Sequence, residues 1–337
     1  MPEGHSIKRL ARTFRRLFVG TRCMTWSPQG RFEEGAALLN GRVMTEARSV
    51  GKHMFLKFDA PPALERAGIQ PLWLRVHLGL YGAWRFHAAP EVEVEASIGA
   101  PRTPAGPYLG EDTGVRAPRP GDIPGRRENE GFTVQPSEDP VEGEWAPPEP
   151  IGAVRLRIDN GKVVADLTGP AACEVLTAEE VQLVADRLGP DPLDERSDPE
   201  ALKEAFVTGV RGSKRSIGEL LMDQSVIAGV GNIYRAEGLF RQRISPNRKG
   251  VNVSERRLGA LWDDYVELLH RGVTEGRITT VEDQDKPDAE WAAAEDPESQ
   301  RWYVYHRSGR ECLVCGETVQ EKEVQNRRLF WCSNCQR

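Results

Sequence analysis

No window of this 337-residue chain holds the 18 or more consecutive apolar residues that a membrane-spanning helix needs. The start lacks an apolar signal core as well: Met1-Pro2-Glu3-Gly4-His5 runs straight into Lys8-Arg9-Leu10. Both absences lead to the expectation of a cytoplasmic protein with no membrane partner. Cysteine is scarce. There are six, of which Cys23 and Cys173 stand alone and four lie within the last 26 residues. That excludes a disulfide-stapled secreted scaffold and fits a reducing compartment. A basic excess is also missing. The net charge is −6, which on its face excludes a polyanion-binding protein.

The charge is unevenly placed, however. Segment 89–150 carries 13 acids against 5 bases and 281–299 carries 8 against 1, so the rest of the chain has a positive excess of 9. A basic body with two acidic inserts suits a nucleic-acid partner again. The first insert also holds 12 of the 24 prolines. Such a composition cannot bury enough apolar area to offset its ordering entropy, so both inserts are expected to be flexible loops.

Apolar content of 39% supports real cores in the remainder. From 6 to 18, Ile7, Leu10, Phe14, Leu17 and Phe18 recur at helical spacing. Strand-like runs follow at 42–47, 53–58, 73–78, 83–86, 154–158 and 162–167, with Asn160-Gly161 as a hairpin turn. From 177 onward the period changes to three and four residues, at 178–188, 199–207, 216–222 and 253–272. The expected fold class is α+β. A β-rich unit led by one helix spans 1–176 with the 89–150 insert, a helical unit spans 177–300 with the 281–299 loop, and a small C-terminal module spans 301–337.

That module contains Cys312-Leu-Val-Cys315, a 16-residue gap and Cys332-Ser-Asn-Cys335. Two such knuckles can wrap four thiolates around one Zn2+, closing every coordination position, so the metal would be structural. A pair of disulfides is the other reading of the same residues. Between the knuckles lies Asn326-Arg327-Arg328-Leu329-Phe330-Trp331, a basic pair with aromatics that suits a backbone phosphate.

Chemistry is readable at four places. Removal of Met1 before a small residue leaves Pro2 as a free secondary amine. An N-terminal amine titrates near roughly 8, so a good part of it is nucleophilic at neutral pH. Attack on a sugar C1′ by such an amine gives an iminium directly, and Glu3 could supply the proton that opens the sugar ring. Many ordinary chains also begin Met-Pro. In Ser49-Val50-Gly51-Lys52-His53, Lys52 can be a phosphate contact, an acid on a sugar oxygen or a solvated charge. In Val76-His77-Leu78-Gly79-Leu80-Tyr81-Gly82, His77 can be a core histidine, while Leu80 and Tyr81 form an apolar tip able to wedge into a base stack. In Ala228-Gly229-Val230-Gly231-Asn232-Ile233-Tyr234-Arg235, a glycine turn opens a helix; its N–H groups suit an anion, and Asn232 can donate to a phosphate.

Met1-Pro2-Glu3-Gly4, Gly51-Lys52, His77-Leu78-Gly79, Gly229-Val230-Gly231-Asn232-Ile233-Tyr234 and the four-cysteine finger occur in an order that resembles the formamidopyrimidine-DNA glycosylase and endonuclease VIII family. The chain is most similar to the actinobacterial endonuclease VIII branch. The resemblance implies an N-terminal β-sandwich with a leading helix, a helix–two-turn–helix unit and a zinc-finger hairpin, with damaged double-stranded DNA in the cleft of a monomer that acts at the bacterial nucleoid. It implies a bifunctional glycosylase and abasic-site lyase of base excision repair, with Pro2 as Schiff-base nucleophile and Glu3 as general acid. Lys52 would serve base release and phosphate binding, and His77, Asn232 and Arg327 would contact the DNA backbone. Leu80 and Tyr81 would fill the space of the flipped nucleotide. Cys312, Cys315, Cys332 and Cys335 would hold one structural zinc. Ser6 stands where the family often has a second glutamate, so a role for that carboxylate does not carry over. No arginine–phenylalanine wedge of the purine-directed branch is present, only 171–175 where the chain is expected to leave the sheet. That favours oxidised pyrimidines over 8-oxoguanine and formamidopyrimidine. A non-catalytic damaged-DNA-binding protein on the same scaffold is the rival, and intact Pro2, Glu3 and Lys52 speak against it.

Overall fold

The computed structural model describes residues 2–60, 70–95, 97–99, 145–286 and 299–337. The central parts of both acidic inserts, 100–144 and 287–298, lie outside these, so the flexible-loop expectation for them does too. Helix α1, Gly4–Leu17, buries Ile7, Leu10, Phe14 and Leu17 along one stripe, as their spacing requires. Then come β1 (Arg22–Trp26), α2 (Glu33–Leu39), β2 (Arg42–Val50), β3 (His53–Asp59), β4 (Leu72–His77), β5 (Ala83–Ala88), β6 (Ser97–Gly99), β7 (Val154–Asp159), β8 (Val163–Thr168) and β9 (Ala172–Leu176).

These strands pair antiparallel in the order β6-β5-β8-β7-β1-β2-β3-β4-β9. Strand β1 is the seam. Arg22 and Cys23 pair with β2, whereas Met24, Thr25 and Trp26 pair with β7. Both halves of the sheet and α1 share one core, in which Phe14 meets the Trp84 ring edge-on at 4.8 Å beside Met44, Leu56, Leu156 and Ile158. At the expected Asn-Gly hairpin, Gly161 has φ 85° and Asn160 Oδ1 accepts from the Lys162 and Val163 N–H groups.

Several elements depart from the sequence reading. Strand β1 was missed because its outward face carries Met24 and Trp26, both exposed, so apolar residues stand on both faces and hide the alternation. Strand β6 and its approach lie inside the acidic insert: Ile98 is buried, and Val92 and Val94 pack on the core. Val281, at the head of the second insert, is likewise buried, and the Glu282 carboxylate pairs with Arg241. The chain does not leave the sheet at 171–175 but adds β9 alongside β4.

Helix α3, Ala178–Ala185, begins on a capping box of Thr177 and Glu180. It buries Val181 against Phe55 and Trp73 of the sheet, not against the helical core. That second core is built by α4 (Pro199–Arg211), α5 (Ile217–Leu220), α6 (Asn232–Arg241) and α7 (Glu255–Glu275). Ser254 caps α7, and Gly276, with φ 76°, ends it. Trp302, Tyr303, Val304 and Tyr305 join this core, and so do Cys312, Val319, Phe330 and Cys332 of the C-terminal module. The module's hairpin pairs β10 (Gln320–Val324) with β11 (Arg327–Trp331). Its two turn residues, Gln325 and Asn326, have φ of 52° and 57°, the signature of a type I′ turn.

Candidate active site and nucleic-acid interface

Glu3 precedes α1 in extended backbone, with φ −115° and ψ −177°. Its side chain crosses to the helical core. There Oε2 accepts the Gly231 N–H at 2.8 Å and Oε1 the Ile233 N–H at 2.9 Å. The first N–H groups of a helix have no partner in the helix, and its N-terminus favours an anion; Glu3 meets both needs of α6 from outside and is fully buried in doing so. The Gly4 N–H donates to the Gly229 carbonyl at 2.8 Å, which fixes the buried Pro2 at the same junction.

The glycines are explained by this approach. A Cβ on Gly231 would lie 2.5 Å from the Glu3 carboxyl carbon, and one on Gly4 would lie 2.9 Å from the Gly229 Cα. Gly229 itself needs φ 87°.

Lys52 sits on the tight turn between β2 and β3, where Val50 pairs with His53. Gly51, with φ 55°, donates its N–H to Asp191 Oδ2 at 2.7 Å. Asp191 is buried, and its Oδ1 accepts the Leu193 N–H at 2.9 Å. Burial pushes its carboxyl above the usual range, against these two bonds. On the other side of Gly51, a Cβ would meet the Ala228 Cβ at 3.0 Å and the Gly229 nitrogen at 3.1 Å. The half-buried Lys52 is therefore carried by a turn clamped between Asp191 and the 228–231 loop, beside Pro2 and Glu3. Asp191 went unread in the sequence. Its one signal was its place between Pro190 and Pro192, a stiff run that presents few backbone alternatives.

His77 ends β4 opposite His53, the ring centroids 4.9 Å apart. Its Nδ1 accepts the Gly79 N–H at 3.2 Å. Burial, then the Lys52 and Arg75 charges, lower its pKa to about 4. Burial, then His77, Arg75 and Lys52, lower that of His53 to about 3. Both rings are neutral at neutral pH. Beyond them the β4–β5 hairpin carries the half-buried Leu80 and, at its tip, Tyr81, which is 53% exposed.

Asn232 opens α6 and is buried; its Nδ2 donates to the Arg328 carbonyl at 3.0 Å, and its Oδ1 accepts from Arg235. One amide hydrogen is thus committed to the hairpin, leaving the second for any phosphate. Arg235, fully buried and unread in the sequence, donates through Nη1 to the Gly218 carbonyl at 3.2 Å and through Nη2 to the Arg328 carbonyl at 3.3 Å. Burial lowers its pKa to about 10. These two side chains hold β11 against the start of α6, and the half-buried Arg327 opens that strand.

The thiol sulfurs of Cys312, Cys315, Cys332 and Cys335 lie within 4.8 Å of one another. Cys312 and Cys335 are 3.9 Å apart and Cys315 and Cys332 3.5 Å, and no disulfide joins them. Four sulfurs about 2.3 Å from a tetrahedral zinc would be spaced about 3.8 Å apart. The cage fits a metal ion of that kind.

Comparison with known proteins accords with this geometry. Residues 1–105 match the formamidopyrimidine-DNA glycosylase N-terminal domain, and residues 188–283 match the formamidopyrimidine-DNA glycosylase H2TH domain. The chain is 36% identical over 337 residues to Endonuclease 8 1 of Mycobacterium tuberculosis, covering 100% of both chains. It is 36% identical over 187 residues to the formamidopyrimidine-DNA glycosylase of Stenotrophomonas maltophilia strain K279a, covering 55% of this chain and 66% of that one. Among solved structures, the Lactococcus lactis Fpg complex with DNA containing N7-benzyl-Fapy-dG has a TM-score of 0.65 at 18% identity, with 100% of each chain covered. A complex of the same Lactococcus lactis protein with DNA containing an oxidised pyrimidine gives 0.64 at 18% identity, again with 100% of each chain covered.

Proposed function

The chain belongs to the formamidopyrimidine-DNA glycosylase and endonuclease VIII family of DNA glycosylases with abasic-site lyase activity, and from that premise we propose that it removes oxidised bases, pyrimidines above all, from double-stranded DNA. The observation that carries the reading is the Glu3 carboxylate, buried on the N-terminus of α6 one residue from Pro2.

With Met1 removed, the Pro2 nitrogen adds to C1′ of a nucleotide flipped out of the duplex. Glu3 takes up the proton that the Pro2 nitrogen loses and gives it to the ring oxygen, O4′, as the C1′–O4′ bond opens. The base departs with its bonding electrons, and an iminium joins Pro2 to C1′. Loss of the C2′ proton expels the 3′ phosphate, and a second elimination expels the 5′ phosphate. Lys52 binds phosphate and assists base release from its clamped turn. His77, Asn232 and Arg327 hold the backbone, and Leu80 and Tyr81 fill the vacated stack. The metal in the thiolate cage is one structural zinc: four cysteines leave no coordination position for a substrate. No described helix is long and apolar enough to cross a membrane, and the protein works as a cytoplasmic monomer on the nucleoid.

Borohydride trapping on duplexes carrying thymine glycol, dihydrouracil, 8-oxoguanine or a plain abasic site tests this. A covalent adduct is expected on the oxidised pyrimidines and the abasic site, and it should vanish when a tag blocks the N-terminus. Undiminished trapping by the tagged protein would refute Pro2 as the nucleophile.

A further inference from the structure

His53 follows Lys52 directly and opens β3, yet the mechanism above gives it nothing to do. Directly opposed residues on neighbouring antiparallel strands project to the same face. His53 and His77 are such a pair, with rings tilted 49° at 4.9 Å.

The Nδ1 atom of each ring is occupied by a donor. The Gly79 N–H donates to His77 at 3.2 Å, and the Arg75 Nε–H donates to His53 at 3.2 Å. A ring nitrogen that accepts carries no proton, so in each neutral ring the proton resides on Nε2. Among the described residues neither Nε2 has a protein partner, and neither belongs to the buried polar atoms cut off from solvent. Glu174 pairs with Arg75 at 2.8 Å and holds that guanidinium where it fixes the His53 ring. Two imidazoles are thus locked in one tautomer, side by side, next to Lys52.

We propose that His53 is a second backbone-binding residue of the nucleic-acid interface, its Nε2–H and that of His77 donating together to phosphodiester oxygens of one DNA strand. This rests on the reading of the protein as a DNA glycosylase. Both rings are neutral, since burial and the neighbouring cations hold their pKa values near 3 and 4. A neutral donor displaces no condensed counterion, whereas each charged contact contributes about 0.9 to the salt slope. The signature of His53 is therefore lost affinity at an unchanged slope.

The experiment uses the full chain and a duplex with a tetrahydrofuran abasic analogue, which cannot form the iminium, with anisotropy read across a salt series. His53→Phe keeps an aromatic ring over His77 but has no N–H. His53→Gln keeps an N–H near the Nε2 position. We expect roughly tenfold weaker binding by the phenylalanine variant, as for one hydrogen bond to a charged acceptor, with the wild-type slope. The glutamine variant should stay within about twofold of wild type. Wild-type affinity in His53→Phe, equal weakness in both variants, or a slope reduced by about one each overturns the proposal. Borohydride trapping by the wild type is run alongside. If it fails, the glycosylase reading falls; if it succeeds while His53→Phe binds normally, only the role of His53 falls.

Discussion

Helix α6 is held by two buried glutamates, and the two work in opposite directions. At its start, Glu3 arrives from the sheet and accepts two N–H groups of the helix. Midway along it, Glu237 belongs to the helix and accepts the N–H groups of Tyr303, Val304 and Tyr305 at 2.8 to 2.9 Å, with the Thr280 hydroxyl at 2.5 Å. At the first junction the backbones approach closely, with room left by Gly4, Gly51, Gly229 and Gly231. The second is filled by aromatics, with Tyr303 stacked on Phe240 at 4.8 Å. Burial alone does not separate the carboxylate proposed as the acid from a structural one. What separates them here is the company: a lean junction beside Pro2, and a crowded one with two donors on each Glu237 oxygen.

The largest blow to the crowded side is loss of the metal. Cys332→Ser should empty the cage, and because Cys312, Phe330 and Cys332 belong to the helical core, the whole second unit should melt earlier. Metal analysis and calorimetry check this, and an unchanged melting curve after metal loss would show the C-terminal module to be independent. Next is Glu237→Ala, which strands three N–H groups and a hydroxyl. It should cost at least about 3 kcal/mol of stability yet leave excision near normal at low temperature. Unaltered denaturant midpoints would mean that aromatic packing alone holds residues 303–305.

On the lean side, Gly231→Ala drives a methyl group into the Glu3 carboxyl. Base excision should fall roughly a hundredfold, the order of a general acid's contribution, with preformed abasic sites cut less affected. Equal losses on both substrates would argue that Gly231 serves DNA binding instead.

The smallest effect is on pH. His53 and His77 have folded pKa values of about 3 and about 4, below the ordinary 6.5. Between those limits the unfolded chain binds more protons, so their contribution is fully present above about pH 6.5 and is lost as pH falls toward 4. Melting temperatures measured at pH 7.5 and 5 should differ less in a His53→Gln/His77→Gln double variant than in wild type, and an equal difference would contradict the two half-buried neutral rings.

The sequence was legible wherever chemistry dictates residue type. Four thiolates at knuckle spacing are a pattern with few other uses, whereas an N-terminal proline beside a carboxylate and a glycine turn opening a helix gain meaning from their order along the chain. Asp191, Arg235 and Glu237 were not legible because their partners are backbone atoms from distant segments: Gly51, Arg328 and Tyr303 to Tyr305. A charged residue within a helical pattern looks the same whether it faces water or a far carbonyl. Helix α3 shows the corresponding limit of periodicity, which marks an apolar face at Val181 but not the core that the face will meet. In the 89–150 stretch Ile98 is buried in an added strand, a contribution too small for composition to register.

The crossing of Glu3 to α6 also sets an order in time. A ribosome makes Pro2 and Glu3 well before the segment that Glu3 binds, and the sheet they lead can begin to assemble once its strands have emerged. The N–H groups that seat the carboxylate belong to residues 231 and 233, two-thirds of the way along the chain. Until those leave the exit tunnel, the Glu3 carboxylate has no seat beside Pro2. On the proposed mechanism a nascent chain carries its nucleophile in an idle form, and competence toward DNA arrives with the second half of synthesis.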